Sequence, residues 1–161
     1  MPERPAVNAS PLIYLAHGGY LDLLRLAGEN VVVPLAVANE IRRRGPDDPT
    51  ARAIANTPWL HETGTPPIPA PILAWDLGDG ESSVLAWALA HPGTLAIVDD
   101  LAARRCAAAV RIPVRGTLGL VLLAKQQGRV ASARAVLMRL RQAGMYLADD
   151  VLNPALAMVG E

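Results

Sequence analysis

The chain of 161 residues holds one cysteine, Cys106, one lysine, Lys125, and three histidines. A lone cysteine excludes an internal disulfide framework. Cys106 lies in an alanine-rich helical stretch with no histidine near it, which makes it a small core residue rather than a nucleophile. His17, His61 and His91 are scattered in turn-like contexts and lack the spacing of a zinc site. No uninterrupted apolar run is long enough to span a bilayer, so no membrane partner is expected. The opening Met-Pro-Glu-Arg-Pro lacks the shape of a signal peptide, and the expected compartment is the cytoplasm. The formal net charge is zero, which removes any whole-molecule attraction to nucleic acid or membrane. There is neither an internal repeat nor a low-complexity block.

What is present is apolar and arginine-rich. Hydrophobic residues make up 52% of the chain, enough for a compact product, and the length fits one domain over residues 1–161. Short apolar runs alternate with helical patterns. Ala6-Val7-Asn8 reads as the end of a first strand, followed by a helix with Ser10 as cap and Pro11 in its first turn. Leu21, Leu24 and Leu26 mark a second short helix, and Val31 to Val33 a second strand. Pro34 opens a helix whose apolar stripe is Ala36, Val37 and Ile41. Another helix is expected over Asp47 to Asn56. Thr57 to Ile72, with five prolines, reads as a surface loop anchored on the core by Trp59 and Trp75.

Asp76 starts the next helix, with Val84, Leu85, Ala88 and Leu89 on its stripe. Leu95 to Val98 is the run around which the chain is organised: apolar, β-branched, and halted at Asp99-Asp100 before an alanine-rich helix carrying Arg104 and Arg105. A last short strand follows at Ile112, and Thr117 is expected to cap the helix Leu118 to Lys125. Helices over Ser132 to Ala143 and Asp149 to Glu161 complete the pattern. Strands alternating with helices predict an α/β fold with a parallel sheet.

In such a sheet, ligands gather beyond the carboxyl ends of the strands. Asp99 and Asp100 stand at that edge, although an aspartate there also makes a helix cap. Glu40 lies on an apolar helix stripe, three residues after Val37 and four after Ala36, with Arg43 and Arg44 within pairing reach. Glu81 sits in a first helical turn, where the dipole helps keep it ionised. Three carboxylates at element ends, Glu40, Glu81 and Asp99, raise one another's pKa when crowded unless a cation intervenes. Oxygen-only ligands suit Mg²⁺ or Mn²⁺ rather than zinc.

The segments Val7 to Ile13, Val33 to Ile41, Gly80-Glu81-Ser82-Ser83, Ile97 to Arg104 and Gly116 to Gly119 stand in the order found in PIN-domain proteins. More narrowly, the chain resembles the PIN-like branch labelled DUF3368 over nearly its whole length. That resemblance implies a three-layer α/β/α fold with a central parallel sheet and an acidic pocket. It implies a metal-dependent ribonuclease acting on RNA with Mg²⁺ or Mn²⁺, in many relatives the toxin partnered by a small antitoxin protein. Carried over by motif, Glu40, Glu81 and Asp99 fall on the metal-binding acids, and Ser10 on a small hydroxyl residue beside the first acid.

Asn8 is a departure, because the family's first-strand aspartate is an asparagine here. An oxygen ligand is kept and a charge is lost. Asp100 is a substitute ligand or a cap. Arg104 and Arg105 would neutralise a neighbouring phosphate, and Thr117 would position water or substrate. The alternative is a PIN-like module of little or no activity that binds nucleic acid or a partner protein, which the lost charge at Asn8 favours. A phospho-receiver would need its acidic pair after the first strand, where Asn8 stands. Apolar helices such as Leu12 to Leu26, more than a small core obviously needs, point to a homodimer.

Overall fold

The computed structural model of the protein describes residues 4–161. Five parallel strands form one sheet in the order β3-β2-β1-β4-β5. These are β1 (Ala6–Val7), β2 (Val31–Pro34), β3 (Leu60–Thr63), β4 (Ala96–Ile97) and β5 (Val114–Arg115). Helices flank the sheet in a three-layer α/β/α arrangement, as the alternating pattern predicts. They are α1 (Ala9–Gly18), α2 (Leu35–Arg42), α3 (Pro49–Asn56), α4 (Ala70–Leu73) and α5 (Asp79–Ala90), then α6 (Leu101–Ala109), α7 (Thr117–Gln126), α8 (Ala133–Gln142) and α9 (Asp149–Ala157). A 3₁₀ turn spans Leu21–Leu26.

The central strands are buried on both faces. Ala6, Val7, Val31, Val32, Ala96 and Ile97 are without exposure, as strands covered by helices on either side require. Full burial of a valine or isoleucine side chain here contributes roughly 1.5–3 kcal/mol. Cys106 is buried and unpaired, the small core residue its context predicts.

Register sets the site. Ala6 lies opposite Val32 on one side and Ala96 on the other, and Val7 opposite Ile97. From β1 the chain runs outward through β2 and β3, then returns to lay β4 on the opposite side of β1. The direction of winding therefore reverses between β1 and β4, and a crevice opens beyond their carboxyl ends. Asn8 leaves β1 at that point, and Asp99 follows β4 two residues beyond its last paired position.

Several local expectations change. The loop expected over Thr57 to Ile72 contains β3, an edge strand in register with β2 from Val31↔Leu60 to Pro34↔Thr63. Its Leu-His-Glu-Thr sequence is polar because an edge strand keeps one side open, and Pro58 and Pro66 leave this window free to pair. The short α4 closes the same segment and buries Ile72. Trp59 packs against the core, whereas Trp75 is 38% exposed and anchors nothing.

The N-cap position of α1 is held by Asn8, two residues before Ser10, and that of α7 by Gly116 rather than Thr117. Helix α5 begins at Asp79, not Asp76. Leu12, Leu15, Leu23 and Leu24 are buried in the chain's own core. Among the described residues no helix is long and apolar enough to cross a membrane.

Candidate functional site

Asn8 is held between two strands. Its N–H donates to the Ile97 carbonyl at 3.0 Å, and its extended backbone ends β1 and caps α1. The side chain is 3% exposed, and its Oδ1 has no hydrogen-bond partner. A buried amide oxygen left without a donor is costly, on the order of 1–3 kcal/mol. Beside it α5 supplies Gly80 in its first turn. A methyl group on Gly80 would come within 2.9 Å of Asn8 Oδ1 and 3.2 Å of Glu40 Oε2. The lack of a side chain at position 80 is what makes room for both oxygens.

Glu40 reaches the same space from the last turns of α2. The residue as a whole is exposed, but its carboxylate leans against buried Gly80. Burial of that end pushes the Glu40 carboxyl above its ordinary value, and the neighbouring Glu81 pushes it further, against the pull of Arg43 and Arg44. Neither arginine bonds to it, and none of the ion pairs among the described residues involves Glu40, Glu81 or Asp99.

Glu81 folds back over the N-terminus of α5, with Oε2 at 2.6 Å from where a Gly78 side chain would begin. The aligned N–H groups there favour its negative charge. Glu81 thus faces Glu40 on one side. On the other it lines a cleft of about 410 Å³ together with Asp99, Asp100, Ser10 and Arg104.

Asp99 is treated differently. The Thr117 N–H donates to its Oδ1 at 2.7 Å and the Thr117 hydroxyl to its Oδ2 at 2.6 Å. Gly116 gives this contact its closeness, since a methyl there would lie 3.0 Å from both Asp99 Oδ1 and Arg104 Nη1. Thr117 is fully buried, so it orients Asp99 instead of touching water or substrate as expected. Asp100 caps α6, accepting from the Ala103 N–H at 2.9 Å, which is the cap alternative of the two that its position allowed.

Glu40, Glu81 and Asn8 therefore converge around Gly80, and Asp99 lines the same cleft as Glu81. Arg104 lines that cleft, while Arg105, also exposed, is not among its lining residues. Among the described residues no group of three or more His, Cys, Asp or Glu side chains is arranged to hold a metal ion. The oxygens that suit a cation are two carboxylates and one asparagine carbonyl. An unpartnered buried Oδ1 beside two mutually repelling carboxylates is a hard-oxygen donor set that fits Mg²⁺ or Mn²⁺.

Most of the remaining lining has no counterpart in the motif pattern. Tyr14 from α1, Met145, Tyr146 and Leu147 from the approach to α9, and Val151 from α9 itself join the motif residue Leu118 of α7 there. Periodicity does not reveal such residues. The only signal in the sequence is a tyrosine following Gly144 in a segment that is neither strand nor helix.

A family model for DUF3368, described as a PIN domain, matches residues 5–161. A comparison with curated proteins finds no match. The chain belongs to the DUF3368 family of PIN domains.

Proposed function

We propose, from membership of that family, that this protein is a divalent-metal-dependent nuclease that hydrolyses phosphodiester bonds in RNA. PIN domains have a nuclease-type fold and generally use divalent metal ions. The observation that carries the reading here is the unpartnered Asn8 Oδ1 facing Glu40 beside Gly80, with Glu81 adding a second carboxylate. Asn8, Glu40 and Glu81 would hold Mg²⁺ or Mn²⁺. The ion, when bound, supplies charge neutralisation at the phosphate and a more acidic water.

Asp99, fixed by Thr117 on the lining of the same cleft as Glu81, orients what enters it. Arg104 neutralises a phosphate oxygen on the same side. Ser10 offers a hydroxyl at the cleft's edge. The test is cleavage of RNA with Mn²⁺ or Mg²⁺ by the wild type, Glu40→Gln, Glu81→Gln and Asp99→Asn. Equal rates in all four proteins would dispose of the reading.

One observation favours a second reading, a binding module with weak or no activity. Asn8 carries no charge and Asp99 already has both oxygens occupied by Thr117, so fewer free carboxylate oxygens remain for a metal. Calorimetric titration with Mn²⁺ separates the two, since the module predicts no saturable site. If the protein is the toxin of a pair, an arginine of the small antitoxin would sit against Glu40 and Glu81. Induced expression would then arrest growth, and the neighbouring gene would restore it.

A further inference from the structure

Tyr146 is 88% exposed, far beyond what a tyrosine's large apolar ring usually tolerates. It is not on a loose segment. Met145, just before it, is buried and its N–H donates to the Leu140 carbonyl at 3.0 Å. Leu147, just after it, has its carbonyl held by Arg141 at 2.6 Å, and the same guanidinium bonds Asp149 at 3.1 Å. The backbone is thus pinned on both sides of a ring that the core does not use. Tyr146 stands on the rim of the cleft that contains Glu81, Asp99 and Arg104.

We propose that Tyr146 is a stacking platform for a nucleobase of single-stranded RNA, placed beside the phosphate that Arg104 receives. The inference rests on the nuclease reading and names the side chain that would hold a base of its substrate. A nucleotide matches this lining: a flat, weakly polar base for Tyr146, with Tyr14 and Leu118 in the same cleft, and an anionic phosphate for Arg104. A wholly apolar peptide would leave the Arg104 guanidinium without a partner at its edge. A paired base cannot present its face to a side chain, so a duplex gains nothing from this ring. Stacking on an aromatic ring is tolerant of base identity, and the platform selects strandedness rather than sequence.

The test is fluorescence anisotropy with a fluorescein-labelled, mixed-sequence RNA oligonucleotide, in Mg²⁺ and in a Glu81→Gln background that stops cleavage. Tyr146→Ala is expected to weaken single-strand binding by about 5- to 100-fold. Tyr146→Phe, which keeps the ring, should stay within about twofold of the parent. Duplex RNA and an abasic oligonucleotide of the same length should bind Tyr146→Ala and the parent equally. Unchanged single-strand affinity in Tyr146→Ala, or an equal loss with the abasic probe, overturns the platform, as does absence of RNA binding. Cleavage by the wild type in Mn²⁺ is scored separately. RNA left intact with Tyr146-dependent binding removes the nuclease reading alone, and cleavage with Tyr146-independent binding removes the platform alone.

Discussion

The two sides of the crevice between β1 and β4 treat their oxygens in opposite ways. On the β4 side, Asp99 accepts twice from Thr117 and Asp100 accepts from Ala103, so each acid is answered by the chain itself. On the β1 side, Asn8 Oδ1 accepts from nothing, and the Glu40 carboxyl is pushed up by burial and by Glu81. The first arrangement stabilises the fold with nothing bound. The second destabilises it, and functional sites commonly violate in this way the rules that the rest of a structure obeys. Charge alone does not distinguish the two sides. Donors within reach do.

That contrast is broken most readily by removing one carboxylate from each side. Glu40→Gln and Glu81→Gln each take away a proposed ligand and are expected to lower RNA cleavage by more than about 100-fold, beyond the loss typical of a residue that only supports a ligand. In metal-free buffer the same substitutions relieve like-charge repulsion, so the melting temperature should hold or rise. Asp99→Asn should lower both activity and melting temperature, because its amide would face a donor from Thr117. A melting temperature that falls as far in Glu40→Gln as in Asp99→Asn would show that the two sides do not differ.

A smaller change sharpens the β4 side. Thr117→Val keeps the shape of a fully buried side chain and removes the O–H donor to Asp99 Oδ2. A hydrogen bond to a charged group contributes about 1.5–3 kcal/mol, and urea denaturation should read a loss of that size. Thr117→Ser, which restores the hydroxyl, should recover most of it. If valine is tolerated without loss, Asp99 is held by something other than this pair of bonds.

Acid titration separates the Glu40 environment from that of Asp48. Burial pushes the Asp48 carboxyl up, but hydrogen bonds from the Thr50 N–H, Arg44 and His17 outweigh it and bring the pKa down to about 2 from 3.8. Between those values the unfolded chain holds the proton and the native chain does not, so stability falls as the pH drops through this window. Glu40 has the reverse sign. Its raised pKa means that the native chain holds the proton first, so from that pKa down to 4.5 metal-free stability rises as the pH falls. Urea midpoints of the metal-free protein, with Asp48→Asn and Glu40→Gln as controls, should each lose one of these opposite slopes. A Glu40→Gln control with an unaltered slope would remove the electrostatic account of the β1 side.

Much of this site was legible as a pattern of elements. Asn8 just after β1, Asp99 just after β4 and Glu81 in the first turn of α5 lie near the crevice because alternating β and α segments wind into a parallel sheet. Hydrogen-bond partners were not legible. Thr117 lies 18 residues from Asp99, and only the register of β4 with β5, Ile97↔Arg115, makes their meeting visible. The strand β3 was hidden for a different reason: its residues are polar, since a sheet edge imposes little hydrophobic pattern. Met145, Tyr146 and Leu147 were invisible because they come from a turn between α8 and α9, where no periodicity operates.

The smallest expected effect concerns the two adjacent arginines of α6. Both are exposed, but only Arg104 lines the cleft, where its Nη1 lies close to Gly116 on the Asp99 side. A guanidinium on a phosphate releases a counterion, and for single strands each such contact contributes about −0.7 to the slope of log affinity against log salt. Arg104→Gln should therefore flatten that slope by about 0.7 while lowering affinity evenly across RNA sequences. Arg105→Gln should leave the slope where it is, since a solvated cation outside the cleft neutralises no particular phosphate. Single-strand affinities measured over a range of salt concentrations, in the Glu81→Gln background, read the difference directly. Parallel slopes for Arg104→Gln and Arg105→Gln would mean that the phosphate backbone runs along some other face than the one shared by Arg104 and Tyr146.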